Sequence, residues 1–371
     1  MYFNWSTFQF EEVELSVEKE VEPSALLHEL LNELNFEVNQ HELPISSSSP
    51  SPSKYCTNEF SADDVQALIN DDPNAVKKKG RNGLLPLHTA VLNNVPVEVI
   101  HALLKADPSA AQKKGKFKDE HMLPLHFAIC EGRSLDMVQA LLDVYPKGLE
   151  ARITKDGKLP LSLCLEFGAP DDVVLTVLEA YPDAAEDCGK HNDVSILPLV
   201  TAIRKKRALE IIKELLAVYP DGAKRRLPEG KLPLSLAITT IGISDDVVLA
   251  VLEANPDAAK DMVSNDSSTL PLHLAIQMKR SLDIVQALLD VYPKAAEVTM
   301  MRERDEKLPL SHALTSGVSD DVVLALLATF PDAAKAKSLY YYGLEMLPLH
   351  FAVRERCSQE LVKSLLGAYP V

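Results

Sequence analysis

Hydrophobic residues along most of the chain follow helical spacing, in segments about ten residues long that recur at a regular interval. One such segment is residues 134–144. There Leu135, Val138 and Leu142 fall on one face of a helix, and a serine stands at the capping position before them. The segment stops before Tyr145-Pro146, because proline removes a backbone donor and disfavours helical geometry in the residue before it. We therefore predict an amphipathic helix, called helix B, that ends at an aromatic residue followed by proline.

A second apolar segment precedes each helix B and opens with Leu-Pro-Leu. Proline is tolerated in the first turn of a helix, where its fixed φ is already suitable and no backbone donor is lost. We therefore predict that a helix A starts at each Leu-Pro step. The eight openings stand at Leu85, Leu123, Leu159, Leu197, Leu232, Leu270, Leu308 and Leu347.

The prolines of successive openings lie 35 to 39 residues apart. A fixed period of this size predicts a solenoid, in which each helix pair packs only on its neighbours. Residues 61–70 resemble an additional helix B, closed by Asp72-Pro73, so the array should hold about 17 helices. A longer period is also visible: residues 134–146 and 281–293 differ only at Met137 and Ile284. The underlying unit is thus a pair of repeats of about 74 residues.

Residues 1–56 have a different composition. The run from Ser47 to Ser53 is too polar to form a core, and we interpret residues 1–56 as a disordered acidic arm with a linker. Within it, Leu27, Leu31 and Leu34 are spaced as on one helix face, which predicts a short amphipathic helix at 24–36. This helix contains an L-x-x-L-L match of the kind that binds grooves of other proteins. It could equally dock on the first repeat as a cap, or belong to a loose tail.

Charge and cysteine content restrict the function classes. Ten glutamates against the single Lys19 place −9 of the total net charge of −16 in the first 50 residues. Phosphate binding needs a concentrated basic surface, so we do not expect a general nucleic-acid binder. The five cysteines are far apart and odd in number, which is typical of reduced thiols inside a cell. With no secretory signal pattern and no stretch near the roughly 18 apolar residues of a membrane helix, we expect a cytoplasmic or nuclear protein.

Four of the openings carry a histidine and an alanine in a fixed pattern. Residues 85–90, 123–128, 270–275 and 347–352 all read Leu-Pro-Leu-His-x-Ala. They resemble the ankyrin repeat signature T-P-L-H-x-A, and the chain is similar to a divergent branch of that family over residues 57–371. The resemblance implies an all-α, ankyrin-like solenoid of about eight and a half helix-turn-helix repeats.

Two departures from the ankyrin pattern change the expectations. Leucine replaces the threonine that normally caps helix A. Losing a cap costs about 1 kcal/mol, whereas burying a leucine stabilises by about 1.5–3 kcal/mol, so each leucine should be buried between repeats. The connectors are also longer than usual, and those at 186–196 and 297–307 are expected to be irregular loops rather than tight β-hairpins.

No residue set predicts catalysis or a cofactor. The histidines at 88, 126, 273 and 350 stand in equivalent positions of stacked helices, about 8–10 Å apart, which is too far for one shared metal ion. We therefore interpret them as structural hydrogen-bonding residues and expect no enzyme, no cofactor, no metal and no small-molecule substrate. No Walker loop, HExxH or paired-cysteine motif is present.

The connectors, called fingers here, are the predicted binding surface, because in ankyrin-like arrays the fingers and the adjoining inner helices usually contact the partner. Three fingers are basic and one carries three tyrosines, a residue type that anchors interfaces. The predicted partner-binding residues are Lys77, Lys78, Lys79, Arg81, Lys113, Lys114, Lys116, Lys118, Lys224, Arg225, Arg226, Tyr340, Tyr341 and Tyr342. Residues 204–207 add a fourth basic run.

We therefore predict a protein-binding scaffold or regulator that recognises a protein partner through its fingers and concave face. One alternative is an autoinhibited module, in which the acidic arm, residues 11–42, masks the basic ridge formed by these fingers. A less favoured alternative is a nucleic-acid-binding repeat protein. No membrane partner is expected. Because only Val371 follows the last Tyr369-Pro370 step, the final repeat lacks a polar cap, and we expect a monomer or a weak homo-oligomer formed through it.

Overall fold

The computed structural model describes residues 24–29, 31, 62–80, 83–117, 120–153, 157–191, 194–263, 269–302, 305–340 and 344–368. Contacts divide the chain into two compact units, residues 1–110 and 111–371. Unit 1 holds the half repeat and repeat 1, and unit 2 holds repeats 2–8. The described residues from 62 to 368 contain seventeen α-helices, as the repeat pattern predicts.

The helix bounds follow the sequence signals closely. The half repeat is the helix Ala62–Asp71. The A helices are Pro86–Leu92, Pro124–Cys130, Pro160–Phe167, Pro198–Arg204, Pro233–Thr239, Pro271–Gln277, Pro309–Ser316 and Pro348–Arg354. The B helices are Val97–Ala106, Leu135–Val144, Asp171–Ala180, Leu209–Val218, Asp245–Ala254, Leu282–Val291, Asp320–Thr329 and Gln359–Ala368. Every A helix thus begins at the proline of its Leu-Pro-Leu opening.

In unit 2 each A helix packs on the A helix of the next repeat, and each B helix packs on the next B helix. This is the solenoid arrangement, and the all-α, ankyrin-like fold class is confirmed. In unit 1, helix B of repeat 1 packs against the half-repeat helix Ala62–Asp71. The predicted helix at 24–36 is helical at residues 24–29 and 31, and its other residues lie outside the described ones.

A short 3₁₀ helix follows most of the B helices, at the aromatic-Pro step. In repeat 3 it is Pro182–Glu186, where Ala184 and Ala185 are buried. The two alanines leave room for the turn to pack beneath the next repeat. The sequence predicted the stop of helix B at this point but not the 3₁₀ turn. The 3₁₀ helices are Ala75–Lys77, Pro108–Gln112, Pro146–Glu150, Pro182–Glu186, Pro220–Lys224, Pro256–Lys260, Pro293–Glu297 and Pro331–Lys335.

Four fingers contain antiparallel two-stranded hairpins, so the expectation of irregular loops at 186–196 and 297–307 was wrong. The paired strands are Gly115–Phe117 with Glu120–Met122, Gly189–His191 with Val194–Ile196, Met300–Arg302 with Asp305–Lys307, and Ser338–Tyr340 with Leu344–Met346. In each of these four cases the flanking opening prolines lie 38 or 39 residues apart; the finger between Pro233 and Pro271 has the same spacing, but residues 264–268 lie outside the described ones. Where the opening prolines lie 35 or 36 apart, the finger is a short turn, such as the one closed by the hydrogen bond from the Leu227 N–H to the Lys231 carbonyl, 2.8 Å.

The leucines that replace the usual threonine cap are buried in seven of the eight repeats, with at most 8% exposure, and only Leu347 is half-buried. This confirms the expected exchange of a cap for a buried side chain.

In the described residues each A helix is followed by a residue in the left-handed region of backbone conformation. This residue is glycine in repeats 2, 3, 5 and 7. Lys206, Lys279 and Arg356 take that conformation without being glycine, with φ between 53° and 57°.

Candidate protein-binding surface

Two histidines of the Leu-Pro-Leu-His openings, His126 and His273, link the start of helix A to the turn after helix B of the same repeat. The Leu123 N–H donates to Nδ1 of His126 (3.0 Å), and Nε2 of His126 donates to the Ala151 carbonyl after helix B (2.8 Å). The ring thereby accepts from the N–H of the residue that precedes helix A, as the third helical residue does in a capping box. Burial lowers the pKa of His126 to about 4, so the ring is neutral at physiological pH. His273 repeats both contacts, so the structural role is confirmed for His126 and His273.

Burial makes two of the described cysteines weaker acids than a free thiol. Cys130, Cys164, Cys188 and Cys357 are free thiols. Burial raises the pKa of Cys130 to about 12, and it also raises the pKa of the fully buried Cys164. A thiol rather than a thiolate is therefore present at both positions. Among the described residues, no group of three histidine, cysteine or acidic side chains is placed to hold a metal ion.

The first basic finger lies in unit 1, directly after the half repeat. Lys77, Lys78 and Lys79 are exposed, and the Lys78 ammonium lies 3.7 Å from the Asp72 carboxylate. Arg81 lies outside the described residues. This finger therefore presents at least three lysines to solvent, one of them beside a carboxylate.

A segment of the N-terminal arm packs beside this finger. Leu27 and Leu31 are fully buried, and the imidazole of His28 lies 3.3 Å from both the Lys78 carbonyl and the Thr89 hydroxyl. The Asn93 amide donates to the Leu31 carbonyl at 3.0 Å. Of the alternatives that the sequence left open for this segment, the structure supports docking on the first repeat.

The second basic finger is the first hairpin of unit 2. Lys113 and Lys114 precede its first strand, Lys116 lies within that strand, and all three are exposed. The Lys114 ammonium donates to the Arg152 carbonyl at 3.4 Å, which ties it to the next finger. Lys118 lies outside the described residues.

The third basic finger is largely neutralised by acidic neighbours. Lys224 pairs with Asp221 at 2.8 Å. The Arg226 guanidinium binds the Asp261 carboxylate through two nitrogens and also donates to the Gly230 carbonyl at 2.7 Å. Arg226 thus joins two consecutive fingers rather than projecting freely. Arg225 also has a neighbour, because a hydrogen bond with the Tyr219 side chain raises the pKa of this arginine.

The tyrosine finger is the last hairpin. Tyr340 ends the strand Ser338–Tyr340, where its backbone pairs with Leu344. Tyr341 and Tyr342 lie outside the described residues. The preceding finger contacts this one, since the strands Asp305–Lys307 and Ser338–Tyr340 are neighbours. Two consecutive fingers therefore lie side by side at the C-terminal part of unit 2.

The sequence analysis missed a set of arginines that join neighbouring repeats. Arg207, counted there within a basic run, donates to the Ala169 carbonyl and to Asp171 at 2.5 and 2.6 Å. Arg152 likewise binds Asp187, the same pairing as Arg226 with Asp261 one double repeat later. The signal was available, because both arginines precede their aspartate by 35 residues within the 74-residue period.

Apolar side chains remain exposed on the last repeat. Val353 is 64% exposed and Leu366 is 51% exposed. They lie on helices A and B of repeat 8. This is the surface to which the sequence analysis assigned weak self-association, and that assignment stays a prediction.

The fold and these contacts define a helical repeat protein whose polar side chains mainly hold neighbouring repeats together. The family model for ankyrin repeats matches residues 54–154 in three copies, and this is the family that the Leu-Pro-Leu-His openings resemble. The following repeats of unit 2 have the same helix pair. A comparison with curated proteins gives no match. Among the described residues, no helix has the length and apolar character needed to cross a membrane.

Proposed function

We propose that this chain is a non-catalytic scaffold or regulator that binds a partner protein through the fingers and adjoining A helices of its repeats. Ankyrin repeats generally mediate protein–protein interaction. The observation that carries the proposal is that polar residues fall into two groups. His126 and Arg207 make hydrogen bonds within and between repeats, whereas exposed lysines lie on the fingers. We further propose a cytoplasmic or nuclear location.

The experiment is a pull-down with the full-length chain from native lysate. One variant carries Tyr340, Tyr341 and Tyr342 changed to alanine, and a second carries Lys113→Glu and Lys116→Glu. Lys213→Glu, an exposed change on helix B of repeat 4, is the matched control. We expect loss of specific partners with at least one finger variant and an unchanged partner list with the control. A list that is the same for all four proteins contradicts the proposal.

The autoinhibited alternative is favoured by one observation in unit 1. The described residues of the arm pack next to Lys78, within the first basic finger. An acidic arm held there would neutralise that finger until a partner displaces it. Hydrogen exchange of residues 24–31 at low and high salt tests this alternative. Faster exchange at high salt supports masking, whereas equal exchange at all salt concentrations rejects it.

A further inference from the structure

A cleft lies between the A helices of repeats 3 and 4, within unit 2. Its volume is about 130 Å³. Helix A of repeat 3 contributes Ser162 and Glu166, and the residue before its opening contributes Lys158. Helix A of repeat 4 contributes Thr201 and Arg204. Lys205, which follows that helix, and Ile196 complete the lining. A liquid water occupies about 30 Å³, so the cleft can hold a carboxylate-bearing side chain.

Serine stands at position 162, on the wall of this cleft, where repeats 2 and 6 have histidine. In those two repeats the histidine ring reaches a carbonyl after helix B of the same repeat. In repeat 7 the equivalent Ser311 accepts a hydrogen bond from the Ser338 hydroxyl at 2.9 Å. The residue corresponding to Ser338 beside Ser162 is Gly189, which has no side chain. Ser162 is only 8% exposed, and it lines the cleft.

The charges around the cleft favour an anion. The Lys158 ammonium is buried and lies 2.7 Å from the Glu166 carboxylate. Arg204 pairs with Glu229 at 3.0 Å on the outer side. Lys205 is exposed and has no carboxylate partner among the described residues. Among these five side chains, three are cationic and two are carboxylates. A buried hydroxyl donor beside unneutralised positive charge is suited to a single carboxylate.

We propose that this cleft binds the carboxylate of an aspartate or glutamate side chain in a partner protein. The Ser162 hydroxyl donates to one carboxylate oxygen, and the Lys205 ammonium pairs with the other at the cleft mouth. The backbone of the partner segment then crosses the neighbouring A helices. This assignment rests on the proposed protein-binding function and specifies the chemistry that its partner supplies.

The test uses peptides that bind the full-length chain, selected from a phage-displayed library of random twelve-residue peptides. Each selected peptide is synthesised with an amidated C-terminus. Further versions have one acidic residue changed to the corresponding amide residue, Asp to Asn or Glu to Gln. Titration calorimetry then compares the wild type with Lys205→Gln and Ser162→His, and with Lys213→Gln as the matched control. The ring introduced by Ser162→His fills the cleft and can reach the Asp187 carbonyl, as in repeats 2 and 6, so thermal stability should be kept.

We expect one acidic position at which the change to amide weakens binding to the wild type about tenfold. Lys205→Gln should weaken binding of the acidic peptide about fivefold, and Ser162→His should weaken it at least tenfold. Neither substitution should change binding of the peptide that carries Asn or Gln at that position. Equal binding to all proteins overturns the cleft assignment and leaves the proposed function intact. Tenfold tighter binding of a phosphoserine version overturns the choice of a carboxylate. If the library yields no binder, both proposals are contradicted.

Discussion

We expect Arg280→Ala to destabilise unit 2 more than the replacement of any other described residue in the turns between helix A and helix B. Arg280 begins the turn into helix B of repeat 6, and its guanidinium reaches the corresponding turn of repeat 5. The side chain is 11% exposed. Its hydrogen-bond acceptors, at 2.8 to 3.3 Å, are the carbonyls of Ala237, Ile238, Thr240 and Ile243 and the carboxylate of Asp245.

The magnitude follows from the number and burial of these contacts. A hydrogen bond from a charged donor contributes about 1.5–3 kcal/mol, but the values for one side chain do not add, because the turn can rehydrate after truncation. Asp245 is one-third exposed, so its part of the interaction is screened. Removing one partner of a buried charge network typically costs about 3–5 kcal/mol. We expect a loss of about 4 kcal/mol for Arg280→Ala and about 2 kcal/mol for Arg280→Lys, which keeps the charge but not the fork of donors.

The assay combines urea unfolding of the full chain with hydrogen exchange of residues 237–245, because repeat arrays can unfold in parts. Arg207→Ala, which removes two acceptor contacts, should cost about half as much as Arg280→Ala. Lys213→Ala serves as the exposed control and should stay within about 0.5 kcal/mol of the wild type. If Arg280→Ala costs no more than the control, or leaves exchange of residues 237–245 unchanged, the clamp interpretation is refuted.

Three further predictions concern the A helices. The pKa of His126 is about 4 in the folded chain, against 6.5 in the unfolded chain. As pH falls, the imidazole is therefore protonated first in the unfolded chain, which favours unfolding. The free energy of unfolding should be unaffected by this group above pH 6.5 and should fall by about 3 kcal/mol by pH 4. His126→Gln should flatten that part of the pH dependence of unfolding, and an unchanged profile would contradict the assignment. Lys279→Gly should stabilise by about 0.5 kcal/mol in urea unfolding and Gly317→Ala should destabilise by about 1 kcal/mol, since both positions have positive φ; the reverse order would count against this explanation. Leu159→Thr restores a cap but loses a buried leucine, so calorimetry should show a net loss of about 0.5–2 kcal/mol, and a gain in stability would show that the cap dominates.

Helix positions could be predicted from the sequence because their signals are local. Each helix A begins at the proline of its Leu-Pro-Leu opening. In repeats 1–7 each helix B ends two residues before a proline, and the residue between them is aromatic in five of these repeats. In repeat 2, helix B was predicted to stop before Tyr145-Pro146, and it ends at Val144. Proline acts on its own and the preceding residue, so no tertiary contact is needed to place these boundaries.

The fingers and clamps were harder to predict because they depend on contacts between repeats. The hairpin Gly189–His191 with Val194–Ile196 was expected to be an irregular loop, because its connector is longer than that of the usual ankyrin repeat. Arg226 was counted as a free binding residue because its acidic partner Asp261 stands 35 residues further along the chain. The cleft could not be foreseen either. Its lining residues belong to two consecutive repeats, for example Ser162 in repeat 3 and Arg204 in repeat 4.

The central claim is that this chain acts by binding a partner protein along the faces of consecutive repeats. Hydrogen exchange of the full-length chain, with and without a partner captured in the pull-down, tests it most directly. The account predicts slower exchange in the fingers and A helices of at least two adjacent repeats of unit 2, with the exposed faces of the B helices unchanged. Protection confined to the exposed faces of the B helices, or no protection anywhere in the repeats, would contradict it.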